Sequence, residues 1–300
     1  MMTSTGIPSP DSPAAPGSLH LRTLGTVGLY APDGSRLLGP GLPLALLTYL
    51  KAMPGQSARR EHLADTFWAT SDARHSRQAL RQTLTRLRAV LGSGAFDDRH
   101  AELTLQASLA ADFTEFVEAI ETRQFDRALA LYAGEFFPEY GSPGSADFEQ
   151  WVDMERERFR RLFLRAAETI GRDALDRGAP GDAVQLGRRM QWEVPASQAG
   201  IRLQLKALLA AGDQDLARAE ADIALAQLRE AGREPEAATL RVIETLGHPA
   251  ATPPTKDRSH QLSAALVGRD REFRSLTDAW RQVQQGPATH VCITGAAGLG

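Results

Sequence analysis

Two segments of this chain, RGAPGDAVQLGRRM from Arg177 and AGDQDLARAEADIA from Ala211, align at an offset of 34 residues. Gly178 matches Gly212, Ala183 matches Ala217, and Gly187 matches Ala221. Small residues recurring at these places let antiparallel helices approach closely, and a period of this length belongs to stacked helix–turn–helix units. Pro195 falls where such a unit closes its second helix, and a looser third copy starts at QFDRALALY with a different spacing. The repeat sits inside a stretch, Asp112 to Leu246, whose pattern is helical throughout, so the middle of the chain is predicted to be an array of helical hairpins.

That array cannot be the whole molecule, because 300 residues exceed one typical domain. The preceding segment reads differently. Residues 1–18 are rich in Ser, Pro and Gly and are expected to form a flexible tail. From Leu19, LHLRTLGTVGLYAPDGSRLL alternates apolar positions about Asp33-Gly34, a hairpin signal. Three helical segments follow: LPLALLTYLKAM, apolar nearly all round and stopped at Pro54-Gly55; Ser57 to Trp68, with a serine at its start and Leu63, Phe67 and Trp68 on one face; and Asp72 to Leu91, ending at Gly92. AFDDRHAELTLQA then has the alternation of a second hairpin. Strands, three helices and a closing hairpin within about 90 residues amount to a small α+β domain over residues 19–110.

The third helix carries the chemistry of this domain. Leu80, Leu84, Leu87 and Leu91 form its apolar seam. With Leu80 at zero and about 100° per residue, Arg77, Arg88, Arg81 and Arg74 fall at about 60°, 80°, 100° and 120°. Thr85 and Gln78 follow at about 140° and 160°. Guanidinium groups suit phosphate oxygens and the O6/N7 edge of guanine, and a helix of this width fits the major groove of duplex DNA. Charged stripes more often only solubilise a surface helix. A basic helix placed third, before a hairpin, is nevertheless where a winged helix-turn-helix holds its recognition element. Arg74, Arg77 and Arg81 are expected to position on phosphate or read bases, Gln78 to contact adenine, and Thr85 and Arg88 to complete the face, with Arg88 on the DNA backbone. Arg99 and His100, at the tip of the wing, are expected to contribute weakly.

Charge divides along the same boundary. Lys plus Arg against Asp plus Glu is 11 against 8 over residues 1–110, 17 against 25 over 111–248, and 6 against 4 over 249–300. The basic front is the expected polyanion contact, and the acidic middle the expected seat of protein partners. Trp151, Phe159, Phe163 and Trp192 are expected to be core aromatics rather than the lining of a ligand groove. No Ser–His–acid arrangement and no His cluster with metal spacing occurs there. The single cysteine, Cys292, excludes an internal disulfide and a cysteine-based zinc site.

The remaining stretches are GHPAATPPTKDRSHQLS, a Pro-rich linker over 247–263, and residues 264–300, ending in the strand-like HVCITG and GAAGLG. Gly295, Ala296, Ala297, Gly298, Leu299 and Gly300 match the first six positions of G-x-x-x-x-G-K-[ST]. The lysine that would neutralise nucleotide phosphates is missing, so no hydrolysis and no cofactor are expected of this chain. ATP is expected only if the natural protein continues past Gly300.

Residues 19–107 resemble the OmpR-like winged-helix domain of SARP-type bacterial regulators, through LRTLG, HLADTFW and ARHSRQALRQTLTRLRAVLG. The helical region, with AGEFFPEY, DFEQWVDMERERFRRLFLRAAETI and the paired repeats, is similar to the bacterial transcriptional activator domain that follows in that family. Together these cover about 230 residues. LVGRDREF and the glycine-rich end resemble the entry to an AAA-like or STAND-type ATPase module carried by larger members. The resemblance implies promoter binding, often to direct repeats, recruitment of RNA polymerase, and a dimer on DNA.

The expected architecture is mainly α: a small α+β winged helix-turn-helix domain, an all-α tetratricopeptide-like domain over 111–246, and the truncated start of an α/β P-loop domain. The expected function is a sequence-specific, cytoplasmic, non-enzymatic transcriptional regulator that binds double-stranded promoter DNA, RNA polymerase and a protein partner, with no membrane contact. Two rivals remain open at this point: a signalling ATPase whose front domains are protein adaptors, and a scaffold whose arginine stripe is only a soluble face.

Overall fold

The computed structural model describes residues 18–69, 72–98, 101–138 and 145–247, all within one compact unit, Met1–His248. The tail, most of the linker, Arg99, His100, Cys292 and the six P-loop positions Gly295 to Gly300 lie outside the described residues.

The alternation at the front folds as expected. Strand β1 (Leu19–Arg22) pairs antiparallel with β2 (Gly28–Tyr30), Leu21 opposite Leu29, and β2 pairs with β3 (Arg36–Leu38). Between β2 and β3, Gly34 takes φ +82° and its N–H donates to Ala31 O, closing the turn the Asp-Gly dipeptide signals. Helix α1 (Leu42–Ala52) buries every residue from Leu44 to Leu50, which is why its sequence is apolar all round.

The start of the second helix differs from expectation. Ser57 is not a cap: residues Ser57–Arg59 form strand β4, and helix α2 runs Arg60–Trp68. Cross-strand pairing wins over local capping here. Ser57 Oγ lies 2.9 Å from Thr104 Oγ1, Ala58 sits opposite Leu103, and Arg60 N–H donates to Ala101 O. Helix α3 (Ala73–Leu91) follows, then β5 (Phe96–Asp97) and β6 (Glu102–Leu105), antiparallel as the hairpin pattern predicts. The second sheet is therefore β4-β6-β5.

Strand β7 (Leu109–Ala111) returns to lie parallel to β1, making the first sheet β3-β2-β1-β7, and it runs directly into helix α4 (Asp112–Glu121). The junction is held by Asp112. Its carboxylate accepts from Thr23 N, Thr23 Oγ1, Leu24 N and Phe113 N at 2.7–2.9 Å. The residue is half-buried, and loss of hydration pushes its pKa up to about 6 against the opposing pull of those four hydrogen bonds.

The helical array continues through α5 (Phe125–Leu131), α6 (Ala146–Asp176), α7 (Pro180–Glu193), α8 (Gln198–Ala210), α9 (Gln214–Glu230) and α10 (Ala237–Thr245). The 34-residue repeat reflects recurring geometry. Gly178 and Gly212 both take positive φ after α6 and α8. Their N–H groups donate to Leu175 O and Leu209 O, and the next residues, Ala179 and Asp213, donate to Ala174 O and Leu208 O. These are paired Schellman closures. Arg123 (φ +57°) and Gln124 close α4 in the same way, their N–H groups donating to Ile120 O and Ala119 O, so the looser third copy is the hairpin α4–α5. Ala183 and Ala217 are fully buried, and Gly187 packs so tightly on α8 that a Cβ would lie 2.9 Å from Gln204 N.

One apolar core runs from Leu21 in β1 to Ala207 in α8, with a second around α8, α9 and α10. The α6 aromatics Phe148 and Trp151 meet the front domain directly: the Phe148 ring lies tilted 4.7 Å from Phe67 of α2, and Trp151 meets Tyr49 of α1 edge-on at 4.9 Å. Phe159 and Phe163 are core as expected. Trp192 is not: it is 84% exposed, because α7 turns Ala183, Gly187 and Met190 inward and Trp192 falls on the opposite side.

Candidate nucleic-acid interface

Helix α3 is built to present one face and bury the other. Asp72 caps it, its carboxylate accepting from Arg74 N and His75 N at 2.9 Å and facing His75 Nδ1 at 2.7 Å. The hydrogen bond from the His75 backbone, then that from its ring, holds the Asp72 carboxyl below its ordinary pKa. Gly92, at φ +97°, ends the helix with its N–H on Arg88 O.

Between these caps Leu80, Leu84 and Leu87 are buried, with Ser76 and Thr83 beside them. Ser76 donates to Asp72 O and Thr83 to Ala79 O, so neither hydroxyl costs the core an unpaired donor. The adjacent face is solvent-exposed and carries Arg74, Arg77, Gln78, Arg81 and Thr85 together. Arg77 Nε donates to Ala73 O at 2.8 Å and Thr85 Oγ1 to Arg81 O at 2.9 Å.

Arg88 stands apart from that set. It is half-buried, its Nη2 donates to Asp98 Oδ2 at 2.8 Å, and its guanidinium lies 5.8 Å over the Phe96 ring. Arg60 Nη2 donates to the same Asp98 oxygen, also at 2.8 Å. The Arg88 hydrogen bond, followed by the charges of both arginines, holds Asp98 below the usual carboxylate range.

Three exposed polar side chains on α3 escape the sequence reading, His75, Gln82 and Arg86. They fall at about 220°, 200° and 240° on the wheel, beyond the arginine arc and opposite the leucine seam, so the seam alone would have found them. Asp98 and Arg60 were missed for a different reason: only the folded wing brings them to α3. Among the described residues, no group of three His, Cys, Asp or Glu is placed to hold a metal ion, and no helix is long and apolar enough to cross a membrane.

The fold and this face define a winged helix-turn-helix module continuous with a tetratricopeptide-like array. The chain belongs to the bacterial transcriptional activator domain family, a family of transcriptional regulators, whose profile matches residues 97–246. The match begins in the wing at β5, in keeping with a core that does not break at α4. A curated relative is the regulatory protein AfsR of Streptomyces griseus, 27% identical over 97% of this chain. The chain spans about a third of that relative's length, 32%. Among solved structures, Mycobacterium tuberculosis EmbR in complex with a low-affinity phosphopeptide superposes with a TM-score of 0.57 at 16% identity, covering 77% of this chain and 65% of EmbR. That likeness concerns the fold.

Proposed function

We propose that this chain is a SARP-type transcriptional regulator that binds promoter DNA with α3 in the major groove and activates transcription by recruiting RNA polymerase. The observation that carries the reading is the division of α3 into a buried leucine seam and an exposed face holding Arg74, Arg77 and Arg81 beside Gln78 and Thr85. Arginine forks suit guanine edges and phosphates, and the amide of Gln78 suits adenine. The acidic array serves protein contacts, including polymerase and the second protomer of a dimer on DNA. An ATP site belongs to the proposal only for a chain that continues past Gly300 with lysine and a hydroxyl residue.

The test is an anisotropy titration of the full chain with duplex DNA from upstream of its own gene against a scrambled duplex, at two salt concentrations. Tighter binding to upstream DNA that persists at the higher salt supports base readout. Each bidentate arginine–guanine contact is worth about 1–3 kcal/mol, so Arg77→Ala with Arg81→Ala should weaken promoter binding by at least about tenfold and leave the melting temperature unchanged. Binding of the double variant equal to that of the parent would remove α3 from the groove, and no preference by the parent would favour the adaptor reading.

A further inference from the structure

On the DNA-binding reading above, the net charge of the front domain understates how its cations are managed. Seven arginines and one lysine lie in the described residues from 51 to 98, yet Arg60 and Arg88 share one partner, Asp98. Both guanidinium groups place Nη2 2.8 Å from the same carboxylate oxygen, and both side chains remain 29% exposed. Arg88 lies at about 80° on α3, inside the arc formed by Arg77, Arg81 and Arg74. Arg60 opens α2, and Asp98 directly follows β5.

A guanidinium tied to a carboxylate must give up a charge-assisted hydrogen bond before it can take a phosphate. Non-specific DNA affinity rises with the number of phosphates neutralised, whereas base readout does not depend on that number. The same carboxylate also fixes the wing to the last turn of α3 and the first turn of α2, and so fixes the spacing between two DNA-facing elements.

We propose that Asp98 is a specificity-determining residue. It withholds Arg60 and Arg88 from the phosphate backbone and holds the wing in register with α3, so that discrimination rests on the exposed half of the helix. Asp98→Asn keeps the shape and removes the charge.

The experiment measures the affinity of the full chain for upstream and scrambled duplexes between 50 and 200 mM salt. With the slope near 0.9 per phosphate, affinity of Asp98→Asn for scrambled duplex should fall about 3-fold more than the parent's over that range if one arginine is released, and about 12-fold more if both are. Its preference for upstream DNA should narrow correspondingly. Adding Arg60→Gln and Arg88→Gln to Asp98→Asn should return the salt slope to that of the parent, an outcome that simple loss of stability would not produce. A parent that discriminates between the duplexes, with an Asp98→Asn chain of unchanged slope and preference, overturns the role of Asp98 alone. A slope the triple variant fails to restore overturns it as well. A parent that binds neither duplex overturns the DNA-binding reading and this inference together.

Discussion

Two glycines in one helix should respond to the same substitution with opposite signs. Gly187 and Gly181 both lie in α7, and alanine at either removes the conformational freedom that makes glycine a poor helix residue, a gain of up to about 1 kcal/mol. At Gly181 a Cβ meets nothing within 4 Å. At Gly187 it would stand 2.9 Å from Gln204 N, 3.0 Å from Gln204 Cβ and 3.0 Å from Gly200 O, which are largely main-chain atoms of α8 and cannot swing aside. Overpacking of this kind costs about 1–3 kcal/mol. Gly181→Ala should therefore raise stability by about 0.5 kcal/mol, and Gly187→Ala should lower it by about 1–2 kcal/mol.

Gly200, the reciprocal contact, sharpens the case, since its Cβ would lie 2.9 Å from Gly187 O. Once α7 and α8 are forced apart by one methyl group, a second at the same crossing costs less, so the two alanines together should destabilise by less than their sum. Urea denaturation followed by far-UV circular dichroism, with unchanged slope as the check on two-state behaviour, reads the parent, the three single variants and the double variant. A Gly187→Ala chain at least as stable as the parent would refute the close-approach account of the repeat.

Other consequences follow from the caps and the Asp112 carboxylate. Arg123 closes α4 in the left-handed region, where an L side chain is strained, so Arg123→Gly should stabilise the chain by about 0.5–1 kcal/mol in the same assay. The folded state raises the Asp112 pKa from 3.8 to about 6, so it holds that proton more tightly than the unfolded chain does. The resulting stabilisation is complete below pH 4 and disappears as pH rises through 6, a loss of about 3 kcal/mol. Subtracting the pH–stability profile of Asp112→Asn should isolate this step, and a flat difference between pH 4 and 7 would contradict it.

The sequence discloses this fold where a signal is local. The Asp-Gly hairpin, the Gly92 stop and the leucine seam of α3 are written in adjacent residues and fold as read, and the recurrence of Gly178 and Gly212 marks two equivalent helix ends. It misleads where a distant partner decides. Ser57 has the chemistry of a cap, but its hydroxyl meets Thr104, 47 residues on, and strand pairing prevails. LAA at 109–111 carries too short a pattern to announce a strand, and becomes one because β1 offers a free edge and Asp112 binds the turn after it. Trp192 misleads for a third reason: aromatic identity predicts burial only on average, whereas the small residues Ala183 and Gly187 already define the inward face of α7. The exposed half of the candidate interface follows from helical periodicity, but the fate of Arg88 does not, because its carboxylate partner lies across the wing.

The continuity between the two regions bears on how a contact made on the array reaches α3. Helix α6 is about 46 Å long at 1.5 Å per residue. Its first turns pack Phe148 and Trp151 against Tyr49 and Phe67, its middle anchors Arg156 on the carbonyls of Phe136 and Phe137, and its last turns belong to the repeat. Phe67 belongs to α2, the helix on which α3 rests, and Ser76 of α3 donates to Trp68 O at its end. A tether would leave a docked protein free to sample many positions relative to the DNA, whereas a shared core holds it at one distance and one orientation. If α3 docks in a major groove as proposed, the array becomes a rigid arm whose direction the operator sets, and the freedom that a tether would lose when a partner docks has already been given up in folding. Lengthening the connection between β7 and α4 would not imitate a flexible linker. It would displace Asp112 from Thr23 and Leu24 and open the core itself.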